Sequence, residues 1–251
     1  MKEWAEWKEK DCVKVLREGA EEMGISLSEK QLAQFEAYAA LLVEWNEKMN
    51  LTTITDPIEI VQKHFLDSIS GFSFLEEIRD PEDEMPVSLI DVGTGAGFPG
   101  IPLKIVCPWI RLTLLDALQK RIGFLEEVVK ELELTDVICV HGRAEDLAHE
   151  ETYREVYDAA CSRAVASLPA LLEYCCGYIR EGGIFLAYKG PSLMEELAQA
   201  QGAMHTLHME MVMIHQEISM DNEHLLAVFE KTAETSLQYP RKQSKIKNDP
   251  L

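Results

Sequence analysis

The sequence predicts an α/β protein built on a mainly parallel seven-stranded sheet, preceded by a helical segment. Three observations carry this. From Val87 onward, short apolar runs alternate with helical stretches, the grammar of a parallel sheet with helices on both faces. The last two apolar runs are separated only by Met220-Asp221-Asn222-Glu223, which predicts an antiparallel hairpin at one edge. The first 86 residues carry 9 basic and 20 acidic side chains and little strand signal.

In chain order, helix signals come first. Ser28-Glu29-Lys30-Gln31 matches a capping box, in which the Ser hydroxyl and the Gln side chain satisfy free backbone N–H groups. Leu32, Phe35, Ala39, Leu42, Val43 and Trp45 or Met49 then recur at steps of three and four, marking one buried face. Asp56-Pro57 is a second start signal, with Pro where its missing N–H costs nothing. Ile60, Val61, Phe65, Leu66 and Ile69 follow it. The stretch Arg79–Pro86, with two prolines and four acids, reads as a linker.

Strands are expected near 87–92, 111–116, 136–141, 156–161, 183–189, 210–218 and 224–230, with helices near 99–106, 119–133, 167–180 and 191–206. Met209, Met211 and Met213 alternate with other residues, as in a strand with one buried face. The expected organisation is a helical segment over 1–86 packed on the sheet domain over 87–237, with a basic tail over 238–251. That tail sets Arg241, Lys242, Lys245 and Lys247 against Asp249.

Composition bounds the function. The 251 residues include 24 Lys+Arg and 44 Asp+Glu, a net charge of −20, and 47% are apolar. This excludes a disordered chain. No stretch approaches the ~18 uncharged apolar residues of a membrane helix, and Met1-Lys2-Glu3-Trp4-Ala5-Glu6-Trp7 is too charged for a secretory signal. Six cysteines without a C-x-x-C pair fit reduced thiols in a cytoplasm. His64 has no second His or Cys at ligand spacing, so no metal is expected. Taken alone, the acidic balance argues against a nucleic-acid partner.

The richest segment is Ser88–Gly100, an apolar strand entering a glycine turn and then a helix. Gly95-Ala96-Gly97-Phe98-Pro99-Gly100 matches the dinucleotide fingerprint G-x-G-x-x-G. Asp91-Val92-Gly93-Thr94-Gly95-Ala96-Gly97 matches the D-x-G-x-G-x-G loop of S-adenosylmethionine (SAM) methyltransferases. Asp116, at the end of the next strand, suits the ribose of either cofactor. Asp91 favours SAM, because a carboxylate there repels a pyrophosphate but pairs with an ammonium group. The terminal hairpin and Arg143-Ala144-Glu145 after the third strand, beside an expected adenine, point the same way.

With these residues in place the sequence resembles the bacterial 16S rRNA guanine-N7 methyltransferases of the small ribosomal subunit (RsmG, also called GidB). The matching pieces are Trp45-Asn46 with Asn50-Leu51-Thr52, His64 with Asp67-Ser68, and the loop from Asp91 to Pro102. Leu114-Leu115-Asp116, Lys120-Arg121, Phe124-Leu125, Arg143-Ala144-Glu145, Ser162-Arg163-Ala164-Val165, Lys189-Gly190 and Tyr239-Pro240-Arg241 extend the match over nearly the whole chain from about residue 20. The resemblance implies a class I SAM-dependent, Rossmann-like methyltransferase fold. It also implies that Gly93, Phe98, Ala144, Glu145 and Arg163 line the SAM pocket, to which the loop reading adds Asp91, Gly95, Gly97 and Asp116.

Guanine N7 carries a free lone pair, so no base–nucleophile pair is expected; alignment and fixed hydrogen bonds should suffice. Arg163 is the expected catalytic residue, orienting guanine or a phosphate, against the alternative of an ion pair that only holds the fold. Lys120, Arg121, Lys189 and Arg241 are expected to contact RNA phosphates as a basic rim on the acidic body. Asn46, Asn50, His64 and Asp67 read first as caps and buried hydrogen bonds, and otherwise as part of a helical wall over the pocket. The expected partner is 16S rRNA, within a small subunit or an assembly intermediate, met by a monomer. The competing readings are a methyltransferase of a small molecule or protein, an NAD(P)-dependent reductase, and a SAM-sensing or ribosome-binding module.

Overall fold

The computed structural model describes residues 5–80, 82, 85–216 and 224–251. The expected hairpin turn at 220–223 lies outside the described residues, as does part of the 79–86 linker. Seven strands form one sheet: β1 (Ser88–Val92), β2 (Arg111–Asp116), β3 (Val137–His141), β4 (Tyr157–Arg163), β5 (Ile179–Lys189), β6 (Met209–His215) and β7 (Leu225–Lys231). Their order is β3-β2-β1-β4-β5-β7-β6. The first five run parallel, and β7 is antiparallel to both β5 and β6. All five residues of central β1 are buried, which is why after Ser88 that strand reads as an apolar run broken only by its acid. The chain reverses direction across the sheet between β1 and β4, and a ligand crevice opens at the carboxyl ends of strands at such a point.

Helices α1 (Ala5–Glu9), α2 (Cys12–Glu22), α3 (Glu29–Met49) and α4 (Pro57–Ile60) lead into a π-helix, Val61–Leu66, followed by α5 (Asp67–Ile69) and α6 (Phe72–Glu77). Ser28 caps α3 through the full capping box, and Asp56 caps α4 with Pro57 in its first turn. The apolar stripe of α3 buries Leu32, Phe35, Tyr38 and Leu42. Two amides pin it to the sheet domain, Gln31 donating to Ile105 O (2.8 Å) and Gln34 to Leu132 O (2.7 Å). One apolar core therefore runs from Trp7, Leu16 and Phe65 through to Leu89, Leu112 and Leu186.

The sheet is flanked by α7 (Gly100–Val106), α8 (Gln119–Glu131), α9 (Ala144–Leu147), α10 (Leu168–Cys176), α11 (Leu193–Gln199) and α12 (Gln201–Leu207), with α13 (Gln243–Asn248) near the end of the chain. Three expectations need correction. The helix expected over 191–206 is two, divided at Ala200. Strand β5 begins at Ile179, earlier than expected, because an irregularity lets β4 pair on either side of it: Tyr157 faces Ile179 and Ala159 faces Ile184. On β6 only Met209 is buried, while Met211 and Met213 are 41% and 43% exposed. β6 is the edge strand of the sheet, so the face that begins with Met209 is left exposed further along it, and a register shift follows between Met211 and Met213.

All six cysteines are free thiols. Among the described residues no helix is long and apolar enough to cross a membrane.

Candidate active site at the strand ends

The glycine loop leaves β1 and turns back on itself. Gly93 and Thr94 N–H donate to Leu115 O (2.9 and 3.0 Å), and Gly97 N–H donates to Thr94 O (2.9 Å). Two glycines are required by conformation and by space. Gly93 has φ +73°, and a Cβ there would stand 2.6 Å from Val165 Cγ2; Gly97 has φ +96°, and a Cβ would stand 2.6 Å from the Tyr38 hydroxyl. That hydroxyl donates to Ala96 O, so α3 holds the loop from outside.

Asp91 is completely buried under the loop. Its Oδ2 accepts from Thr94 Oγ1 (2.7 Å) and from Gly100 N–H (2.9 Å), which fastens the loop to the start of α7. Among the described residues its Oδ1 has no hydrogen-bond partner. Burial pushes this carboxyl up to about 6, against the opposing hydrogen bonds from Thr94 and Gly100. Asp116, nearly as buried, accepts from Leu118 N–H (2.8 Å), Gly95 N–H (3.0 Å) and Arg121 (3.2 Å).

Two cavities meet at Gly93. One, about 440 Å³, is bordered by Asp116, Ala144, Glu145, Val165 and Ile246. The other, about 500 Å³, is bordered by Gly95, Phe98, His64, Asp67, Arg163 and Tyr188.

The wall of the second cavity comes from the π-helix. Its wide turn, with Asp67 N–H reaching Gln62 O, buries Phe65 against Phe35 and Tyr38. The same turn leaves His64 and Asp67 on the cavity side. The His64 ring stacks on Phe98, centroids 4.6 Å apart. The Arg163 guanidinium lies 4.8 Å from the same Phe98 centroid. It donates to Asp67 Oδ2 (2.7 Å), Lys63 O (3.1 Å) and His64 Nδ1 (3.3 Å).

Burial, followed by the Arg163 charge, drives the His64 pKa down to about 3, so the ring is neutral. A guanidinium can only donate. Nδ1 therefore accepts, and Nε2–H points to Thr52 Oγ1 at 2.9 Å. Nδ1 is also 3.2 Å from Lys63 O, but as an acceptor it cannot donate to that oxygen. Burial raises the Asp67 carboxyl, yet hydrogen bonds and charge from His224 and Arg163 outweigh it and hold it below the ordinary value.

The model of the family described as rRNA small subunit methyltransferase G matches residues 31–226. The chain belongs to that family. It is 47% identical over 242 residues to the ribosomal RNA small subunit methyltransferase G of Alkaliphilus metalliredigens, covering 94% of this chain and 98% of that one. It is 43% identical over 241 residues to the enzyme of the same name from Clostridium kluyveri, covering 96% and 99%. In fold it is similar to the solved structure of a Pyrococcus horikoshii protein described as a transferase, with TM-score 0.50, 10% identity, and 65% and 63% of the two chains covered.

Within the frame of this methyltransferase family, the expected site residues fall into place unevenly. Gly93, Gly95, Phe98 and Arg163 border the second cavity, and Gly93, Asp116, Ala144 and Glu145 the first. Gly97 and Asp91 shape the loop from beneath. The four expected RNA cations do not form one rim. Arg121 and Lys189 border the second cavity, the first ion-paired with Asp116 (3.2 Å) and the second with Glu196 (2.6 Å). Lys120 is exposed on the first turn of α8. Arg241 borders neither cavity among its described residues and is fastened to Glu173 by Nε and Nη2, both at 2.7 Å. A phosphate would have to compete with that buried carboxylate, as it would with Asp116 at Arg121 and with Glu196 at Lys189.

Asn46 and Asn50 are local: Asn46 Oδ1 accepts Thr52 N–H (2.9 Å), and Asn50 ends α3. His64 and Asp67 instead belong to the cavity wall. Sequence reasoning missed Tyr38, Thr94, Lys63, His224 and Ile246. Tyr38 stands three residues after Phe35 on the α3 stripe and was within reach of the pattern; His224 carries no local signal. Among the described residues no group of three or more His, Cys, Asp or Glu side chains is placed to hold a metal ion.

Proposed function

We propose that this protein transfers a methyl group from SAM to N7 of a guanine in 16S rRNA, leaving S-adenosylhomocysteine. The observation that carries the reading is the meeting, at Gly93, of an acid-bordered cavity and a cavity walled by cations and aromatic rings. The residues suit SAM. Asp91 Oδ1 is buried and lacks a donor, a setting that suits an ammonium group, directly or through water. A dinucleotide pyrophosphate beside the same oxygen would be repelled, so the reductase reading loses ground. Gly93 keeps free the space a Cβ would fill. Asp116 and Glu145 offer carboxylates to ribose hydroxyls and to the adenine end.

When bound, SAM supplies an electrophilic methyl on a positive sulfur. Guanine N7 needs no deprotonation, and the cavity wall agrees with that. His64 is neutral, and Asp67 is ion-paired with Arg163. The chain's contribution is alignment, which lowers barriers by about 7–11 kcal/mol in the best intramolecular cases, together with preorganised charge. Arg163 is held on three sides and only 15% exposed, so it presents a fixed positive charge to guanine O6 or a phosphate. Arg121, Lys189 and Lys63 add cations around this cavity. Local field rather than the net −20 then faces the RNA.

Action as a monomer is part of the proposal. The proposed setting is the cytoplasm, where 16S rRNA is met in a small subunit or an assembly intermediate.

The test is a calorimetric titration with S-adenosylhomocysteine and with NADPH, followed by methyl transfer from labelled SAM to 16S rRNA. The reading expects heat with the first ligand only and label in the RNA. Label appearing only in a small molecule or in protein would favour the other methyltransferase reading. Binding without transfer would favour a sensing module.

A further inference from the structure

One side of the first cavity is closed neither by the sheet nor by the glycine loop. Gln243, Ile246, Lys247 and Pro250 stand on its border together with Asp116, Ala144 and Glu145. Ile246 is the single apolar side chain of α13, and it is fully buried.

The segment is held there by several independent contacts. Glu173 on α10 is fully buried, and its Oε1 accepts from Arg241 backbone N–H (2.8 Å) and Nε (2.7 Å) while Oε2 accepts from Nη2 (2.7 Å). This is a two-pronged, charge-assisted clasp. Arg154 donates to Thr235 O (2.7 Å) and Tyr239 O (3.1 Å). Arg143, next to Ala144, donates to Gln243 Oε1 (2.9 Å). A segment serving only as a basic tail for RNA would leave its guanidinium in water. Here the guanidinium anchors the chain, and the apolar residue closes a ligand cavity.

We propose that residues 241–250 form part of the cofactor site, with Ile246 covering the nucleoside end of SAM and Gln243 tying the segment to the Arg143–Glu145 turn. Arg241 is a positioning residue that acts through Glu173. The proposal rests on reading the first cavity as the nucleoside site.

The experiment titrates the full-length wild type, Ile246→Ala and Gln243→Ala with S-adenosylhomocysteine by calorimetry. It also follows hydrogen exchange of amides 243–248 in the wild type with and without that ligand, and the KM for 16S rRNA of each variant. The expected result is slower exchange across 243–248 on binding and affinity about tenfold weaker in Ile246→Ala, the size of a lost apolar contact in a pocket. A few-fold loss is expected in Gln243→Ala, with the KM for rRNA unchanged. Absence of wild-type binding would instead refute the assignment of the cavity. Wild-type binding with unaltered exchange at 243–248 and full affinity in both variants overturns the proposal itself. So does an effect confined to the rRNA KM.

Discussion

A carboxylate without access to water titrates late, and Asp91 is such a group: burial lifts it to about 6 from an ordinary 3.8. Relative to an unfolded Asp, the folded chain therefore binds this proton more readily. Protonation relieves the fold as pH falls from about 6 toward 3.8. The same proton removes the charge proposed to attract an ammonium group. S-adenosylhomocysteine affinity is therefore expected to decline below about pH 6, by up to tenfold per pH unit, and to be weaker but flat with pH in Asp91→Asn. Titrations at several pH values check this, and parallel profiles for the two proteins would contradict it. Gly93 gives a steric prediction. With φ +73° and a Cβ 2.6 Å from Val165 Cγ2, Gly93→Ala is expected to lose about 1–2 kcal/mol of stability in urea melts, the usual cost of a left-handed non-glycine residue. Its ligand affinity should also fall at least tenfold.

Local signals made some elements legible and concealed others. The Ser28 capping box and the Asp56-Pro57 start are read from a few adjacent residues, and both form as expected. The π-helix is invisible in the pattern, because Val61–Leu66 carries an ordinary helical periodicity and its widening is fixed by Phe65 entering an aromatic cluster. The β6 alternation misled for the opposite reason: the pattern is present, but at the edge of the sheet its face is left exposed. The π-helix also carries a pH prediction. His64 titrates near 3 in the fold, against 6.5 when free. The unfolded chain takes up this proton first, so the contribution of His64 is complete above pH 6.5 and is lost as pH falls toward 3, at most about 1.4 kcal/mol per pH unit. His64→Gln is expected to flatten the decline in stability between pH 6.5 and 4.5. Equal slopes in denaturant melts would rule out this role.

At the scale of the molecule, acids and cations are sorted. A chain of net charge −20 brings Lys63, Arg121, Arg163 and Lys189 to one cavity. With two or three of them reaching phosphates, log kcat/KM on rRNA should fall against log salt with a slope of about −1.5 to −2; a flat line would remove phosphate contact from the account. The loop, Asp116, Ala144 and Glu145 were legible because each sits at a strand end, where the fold gathers ligand contacts. The closing wall was not legible. Ile246 lies 130 residues from Asp116 in sequence and reaches the cavity on a segment held by Glu173 on Arg241, by Arg154 and by Arg143. Its basic neighbours pointed instead to RNA.

The most direct test of methyl transfer to 16S rRNA is mass mapping of that RNA from bacterial cells lacking the protein and from the same cells supplied with it. The account predicts one guanine gaining a methyl at N7 only when the protein is present, and a smaller gain when Asp91→Asn replaces the wild type at equal abundance. Identical 16S rRNA masses with and without the wild-type protein would contradict it.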